Sequence, residues 1–251
     1  MTRVEICLDD LAGAVLAETC GADRIELCAA LGVGGTTPSI GTVEAVLGSV
    51  RSLGVQVLVR QREGDFVYSR AEIAAMCADI VTVRELHPPA GVTVGFVIGA
   101  LTPYNTIDVR VMHELLDACG GAPVTFHKAF DQTQDLFASL ETLMTLGVQR
   151  VLTAGGTSAA VDGQAALADL VRRAGEELVV MAGGGVRASN VVELVGRTGI
   201  KEVHLRASGW TPSASAHRNA EFGYDLGRRL VTSAEVIAEL KAALRRGKAE
   251  A

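Results

Sequence analysis

The feature that most restricts this chain is an alternation. Short runs rich in β-branched residues, RVEICL, RIELC, VQVLVRQ, VTVGFVI, PVTFHK, RVLTA, LVVMAG and EVHLR, begin near residues 3, 24, 55, 92, 123, 150, 178 and 202. Stretches with apolar residues at helical spacing separate them, and a last one covers about 233–246. The spacing suits parallel strands joined by helical crossovers. Eight such units predict one α/β domain, a single (β/α)8 TIM barrel over residues 1–251, with a long loop at 207–232 after the eighth strand. A weak repeat agrees: CGADRIEL, LGVQRVLT and TGIKEVHL each read helix end, glycine cap, polar pair, strand. Capping boxes are expected at Ser69 to Glu72 and Thr232 to Glu235.

The rival architecture, an open doubly wound sheet, needs a glycine fingerprint after its first strand. The segment GVGGTT at 32–37 lacks the third glycine, and GGGVRA at 183–188 follows the seventh strand, so no nucleotide cofactor is expected. Apolar residues make up 49% of the chain, enough for a core of this size, and the net charge of −6 argues against a nucleic-acid partner. The longest apolar stretch, 91–101, falls well short of the ~20 residues of a membrane span, so no membrane partner is expected. The acidic residues Glu5, Asp9 and Asp10 replace the apolar run of a secretory signal, which makes the cytoplasm the expected compartment. The five cysteines form an odd set without a CxxC pair and read as reduced thiols.

Strand parity sorts the polar side chains. With Val4, Ile6, Ile25 and Leu27 facing the helices, Glu5, Cys7, Glu26 and Cys28 face the lumen. Arg60, Thr125, His127, Thr153, His204 and Arg206 are expected at equivalent inner positions, with Lys128 at the rim. Most lie toward the C-terminal strand ends, where barrel enzymes place their sites. Two readings follow. The charges can pair among themselves as a structural network, or they can meet a ligand. For a ligand, His127 would act as acid or base, with Glu26 also in the catalytic set and Arg60 and Lys128 holding an anion. Gly183, Gly184 and Gly185 precede a helix and would present bare amides to that anion, phosphorylated substrates included. The segments 62–66 and 209–231 would overlie the same mouth. Cys7 and Cys28, on adjacent strands, form a separate pair: soft thiolates suit Cu(I), while two small buried cysteines are also ordinary core residues.

The motifs VEIC, GADRIELCA, GGTTPSIG, GDFVYS, VTFHKAFD, GVQRVLT, AGGGVRASN and EVH together resemble the CutC family, named for copper homeostasis. The similarity runs from about residue 3 to 206. It implies a cytoplasmic barrel, a homo-oligomer, to which copper binding and copper tolerance are attributed. It marks Glu5, Cys7, Glu26, Cys28, Arg60, Asp65, His127, Thr153 and His204 as motif residues. Lys128 stands where arginine is frequent, and the segments VRQREGDF, LTAGG and HLRASG depart from the usual pattern, the last adding Arg206 to the mouth. Two functions are carried forward: a copper(I)-binding homeostasis protein using Cys7 and Cys28, and an enzyme performing acid–base chemistry on a small anion with Glu5, Asp65, Thr153, His204, Arg206 and the Gly183–Gly185 loop lining its substrate site.

Overall fold

The computed structural model describes residues 2–249, so residues 1, 250 and 251 of the expected domain lie outside it. Its eight parallel strands are β1 (Arg3–Leu8), β2 (Arg24–Leu27), β3 (Gly54–Leu58), β4 (Thr93–Ile98), β5 (Val124–Phe126), β6 (Arg150–Thr153), β7 (Val179–Gly183) and β8 (Glu202–Leu205). Each pairs with the next, and β1 also pairs with β8 through Glu5 opposite His204, which closes the barrel. The helices are α1 (Leu11–Thr19), α2 (Ile40–Ser49), α3 (Arg70–Arg84), α4 (Val109–Cys119), α5 (Leu136–Thr145), α6 (Gln164–Ala174), α7 (Val191–Thr198) and α8 (Ala234–Ala249).

Local chemistry sets the helix ends. Asp10, Ser39, Asp108 and Asp135 each accept a first-turn amide as N-cap, and Ser69 and Glu72 form the expected reciprocal box. The glycines of the repeat, Gly21, Gly147 and Gly199, all have φ between 72° and 78°, where a Cβ would be strained. At α8 the second expected box is not formed. Thr232 belongs to a strand and donates from its amide and hydroxyl to Asp10, while the Ser233 hydroxyl accepts the amide of Val236.

The expected loop at 207–232 is pinched at its base into an antiparallel hairpin, β9 (Ser208–Pro212) with β10 (Arg228–Thr232), and 213–227 between them stays a loop with one 3-10 turn at Ala220–Phe222. Its base is latched to the barrel by the Thr232–Asp10 bonds, and Ser208, Leu230, Val231 and Thr232 lie over Cys7.

Parity holds through the barrel wall. Val4, Ile6, Ile25 and Leu27 belong to the main core between strands and helices, whereas Cys7, Cys28, Leu58 and Val97 form a separate small cluster inside the barrel. The lower lumen is ionic rather than apolar. Arg24 bridges Glu5 and Glu202, Arg150 donates to the same Glu202 carboxylate at 2.6 Å, and all four are buried. This arrangement satisfies the rule that buried charges are paired.

Candidate metal centre at the barrel mouth

Above the ionic floor, four side chains from three neighbouring strands meet. Cys7 comes from β1, Glu26 and Cys28 from the end of β2, and His204 from β8. The Cys7 and Cys28 sulfurs lie 3.9 Å apart, and ligand atoms of Cys7, Glu26 and His204 all lie within 4.8 Å of one another. An ion about 2.3 Å from each sulfur, a usual metal–thiolate length, would see the two thiols about 115° apart. His204 is held from both sides: Nδ1 is 2.8 Å from Glu5 Oε1 and Nε2 is 3.6 Å from Glu26 Oε2. Gly183, opposite His204 in the β7–β8 ladder, leaves the space for it. A Cβ there would stand 2.5 Å from Leu152 Cδ1 and 3.3 Å from the His204 ring.

The electrostatics follow from burial and contact. Burial opposes ionisation of Glu5, but the hydrogen bond to His204 and the Arg24 guanidinium outweigh it and hold the carboxyl at about 2. The hydrogen bond from Cys28 and the neighbouring His204, working against burial, bring the Cys7 thiol down to about 5. The same Cys28–Cys7 bond, together with burial, pushes Cys28 well above the usual thiol range. Burial and the Cys7 charge raise Glu26 toward its protonated form. Although burial favours the neutral imidazole, contacts with Cys7 and Glu5 raise His204 well above its ordinary value. At neutral pH the centre thus pairs a Cys7 thiolate with a His204 imidazolium, and Glu5 neutralises the far side of the ring.

The other expected site residues are nearby but otherwise engaged. Arg60 is buried, and its terminal nitrogens donate to the carbonyls of Val33, Gly35 and Gly64, so it ties two mouth loops together. His127 accepts the Ala129 amide on Nδ1, which leaves the proton on Nε2, and it packs against Phe66 with ring centroids 4.9 Å apart. Burial and the Arg60 charge push it down to about 3, a neutral imidazole at physiological pH. Lys128 pairs with Asp131 at 2.9 Å and reaches the Gly183 carbonyl at 3.4 Å. Asp65 is exposed, accepting from Arg62 and the Val67 amide within its own turn. Arg206 lies 3.8 Å from Asp9 beside the hairpin. Gly184 and Gly185 have positive φ, with the Gly184 carbonyl accepting the Ala160 amide and the Gly185 carbonyl accepting from Asn190.

Thr153 corrects the parity expectation. It faces outward and donates to the buried Asp131, which also accepts the amides of Ala154 and Gly156. In the internal repeat Thr153 aligns with Leu27 and Leu205, both of the outer core, so the signal was present. The same alignment puts Arg24, Arg150 and Glu202 at one equivalent position, three floor residues that the parity expectation did not name. Asp131 left no comparable periodic signal.

Comparison with known proteins fits this geometry. Residues 2–209 match the CutC family. A CutC family protein of Mesorhizobium japonicum is 42% identical over 220 residues, 88% of this chain and 83% of the relative. The copper homeostasis protein CutC homologue of Homo sapiens is 43% identical over 217 residues, 86% of this chain and 77% of the relative. A crystal structure described as a copper homeostasis protein CutC from Streptococcus agalactiae superimposes with a TM-score of 0.74 at 33% identity, covering 81% of this chain and 98% of that one. A closed barrel of eight parallel strands, with this order of motifs and these relatives, places the chain in the CutC family.

Proposed function

We propose that the chain binds a copper(I) ion as cargo, held by Cys7 and Cys28 with His204 and Glu26 beside them. The observation that carries the reading is the convergence of two thiols 3.9 Å apart with an imidazole and a carboxyl at one barrel mouth. Thiolate sulfur is the ligand Cu(I) prefers, and imidazole completes a soft-to-borderline set. Its relatives include a protein named for copper homeostasis.

Acid–base chemistry on a small anion finds less support, because Arg60 is committed to carbonyls, Lys128 to Asp131, and His127 is buried and neutral. The copper reading takes the cytoplasm as compartment, where thiols stay reduced. It also takes a homo-oligomer as the working form, with the exposed Trp210, Phe222, Tyr224 and Leu226 of the hairpin arm as apolar surface for a second copy. Among the described residues no helix is long and apolar enough to cross a membrane.

The test is a Cu(I) titration against a chromophoric chelator under strict reduction. The wild type takes up one equivalent, and Cys7→Ala/Cys28→Ala takes up none. Unchanged uptake by the double variant, or a wild type that takes Zn(II) but not Cu(I), overturns the assignment.

A further inference from the structure

The same mouth contains a second arrangement that needs no metal. Glu5 Oε1 holds His204 Nδ1 at 2.8 Å, and the far side of the ring is turned toward Glu26 and Cys7, with ligand atoms of the three residues within 4.8 Å. Carboxylate, imidazole and thiol in that order are the orienter, base and nucleophile of covalent catalysis. The orienter is itself fixed: Arg24 bonds the second oxygen of Glu5 and is anchored by Glu202. A second thiol, Cys28, lies 3.9 Å from the first.

We propose that Cys7 is a peroxide-reactive nucleophile, with His204 as its base, Glu5 as the group that orients His204, and Cys28 as the resolving thiol. A small cavity of about 10 Å³ meets Cys7 on the hairpin side, walled by Asp9, Asp10, Arg206, Leu230 and Val231, and has room for one water-sized molecule; hydrogen peroxide is the chemical type of electrophile that suits such a space.

In the first step the Cys7 sulfur, its proton already held on His204, attacks one peroxide oxygen. The S–O bond forms as the O–O bond breaks, and the leaving hydroxide takes the proton back from His204 to depart as water. Cys7 is left as a sulfenic acid. In the second step the Cys28 sulfur attacks the Cys7 sulfur, and the displaced hydroxyl takes the Cys28 proton and leaves as a second water. The balance is one peroxide and two thiols giving one disulfide and two waters. The sulfurs must close from 3.9 Å to about 2.05 Å, a movement confined to the strand ends beneath the hairpin. This chemistry uses the side chains of the copper proposal but does not depend on copper.

The experiment uses the full, reduced, chelator-stripped chain, exposed to hydrogen peroxide and quenched at intervals with an alkylating reagent, each cysteine being followed by peptide mass spectrometry. Cys77, half-buried on α3 and bonded only to a backbone carbonyl, is the internal reference. We expect Cys7 to be lost at least ~10-fold faster than Cys77 and to reappear in a Cys7–Cys28 disulfide. Cys28→Ala should stop at a Cys7 sulfenic acid captured by dimedone. His204→Asn and Glu5→Gln should each slow Cys7 by at least ~10-fold. Cys7 reacting no faster than Cys77, or a Cys7 sulfenic acid persisting in the wild type, overturns the proposal, and this comparison needs no variant to fold. A copper(I) titration of the same preparation separates the two readings, since either can fail while the other stands.

Discussion

At the scale of single residues, the centre is organised by one unlike pair of thiols. Cys7 is brought down to about 5 by Cys28 and His204, and Cys28 is driven up by the same contact, so only one of the two is ready to ligate at neutral pH. A metal ion needs both as thiolates, and binding must expel the Cys28 proton. Apparent Cu(I) affinity should therefore rise by at least about tenfold per pH unit from pH 6.5 to 8.5, with about one proton released from Cys28 and a second when the His204 ring ligates. Chelator competition at several pH values, with proton release followed in a weak buffer, checks this. A pH-independent affinity would mean that both thiols are already ionised or that Cys28 is not a ligand. The pairing of Cys7 with Cys28 was legible from strand parity, because alternation fixes which side chains enter the lumen. The commitments of Arg60 and Lys128 were not legible, since their partners are loop carbonyls and Asp131, and loop geometry leaves no period in the sequence.

At the scale of strands and their layers, the barrel interior is made of stacked decisions about size and charge. Gly183 carries one of them: its backbone is ordinary strand, but a methyl there would meet Leu152 and the His204 ring. Gly183→Ala should cost about 1–3 kcal/mol through overpacking and displace His204, lowering metal affinity. Chemical denaturation and the Cu(I) titration read the two effects, and unchanged affinity would show that His204 is not held by this packing. One layer lower, Glu202 is the shared partner of Arg24 and Arg150. Removing it leaves two guanidinium groups without their common counter-charge in the lumen, so Glu202→Ala should lose about 3–5 kcal/mol, measured by urea unfolding. A loss below 1 kcal/mol would mean that water reaches the floor. The strand and helix order could be read almost to the residue because apolar period and glycine caps mark it directly. The floor was missed because Arg24, Arg150 and Glu202 open their strands, where a charge usually faces solvent. Closure of the barrel turns those positions inward.

At the scale of the whole molecule, the barrel encloses titratable groups with opposed pH preferences, and their sum sets where the fold is most stable. His127 is buried neutral with its pKa pushed down to about 3 from an ordinary value of 6.5, so the unfolded chain binds its proton more readily than the folded one. The stability it contributes is complete above pH 6.5 and is lost as pH falls toward 3. Glu5, held at about 2, and Glu202, also lowered, act in the same direction but further down, keeping their contribution above about pH 4.5 and losing it as the pH drops through their folded values. His204, raised, has the opposite sign: its contribution is complete below 6.5 and declines as pH rises through its folded value. Between pH 7 and 4 Cys7, lowered to about 5, loses its contribution alongside His127, while Glu26 and His204, both raised, act in the opposite direction, so the His127 effect is isolated by comparing the wild type with His127→Asn. The stability of the wild type relative to His127→Asn should therefore fall on acidification over that range, by about 3 kcal/mol at pH 4. His127→Asn, which cannot take the proton, should flatten that part of the curve whatever it does to the stability at pH 7. A difference between wild type and His127→Asn that is equal at pH 7 and pH 4 would mean that His127 titrates freely and that the packing of Phe66 and Arg60 around it is open to water.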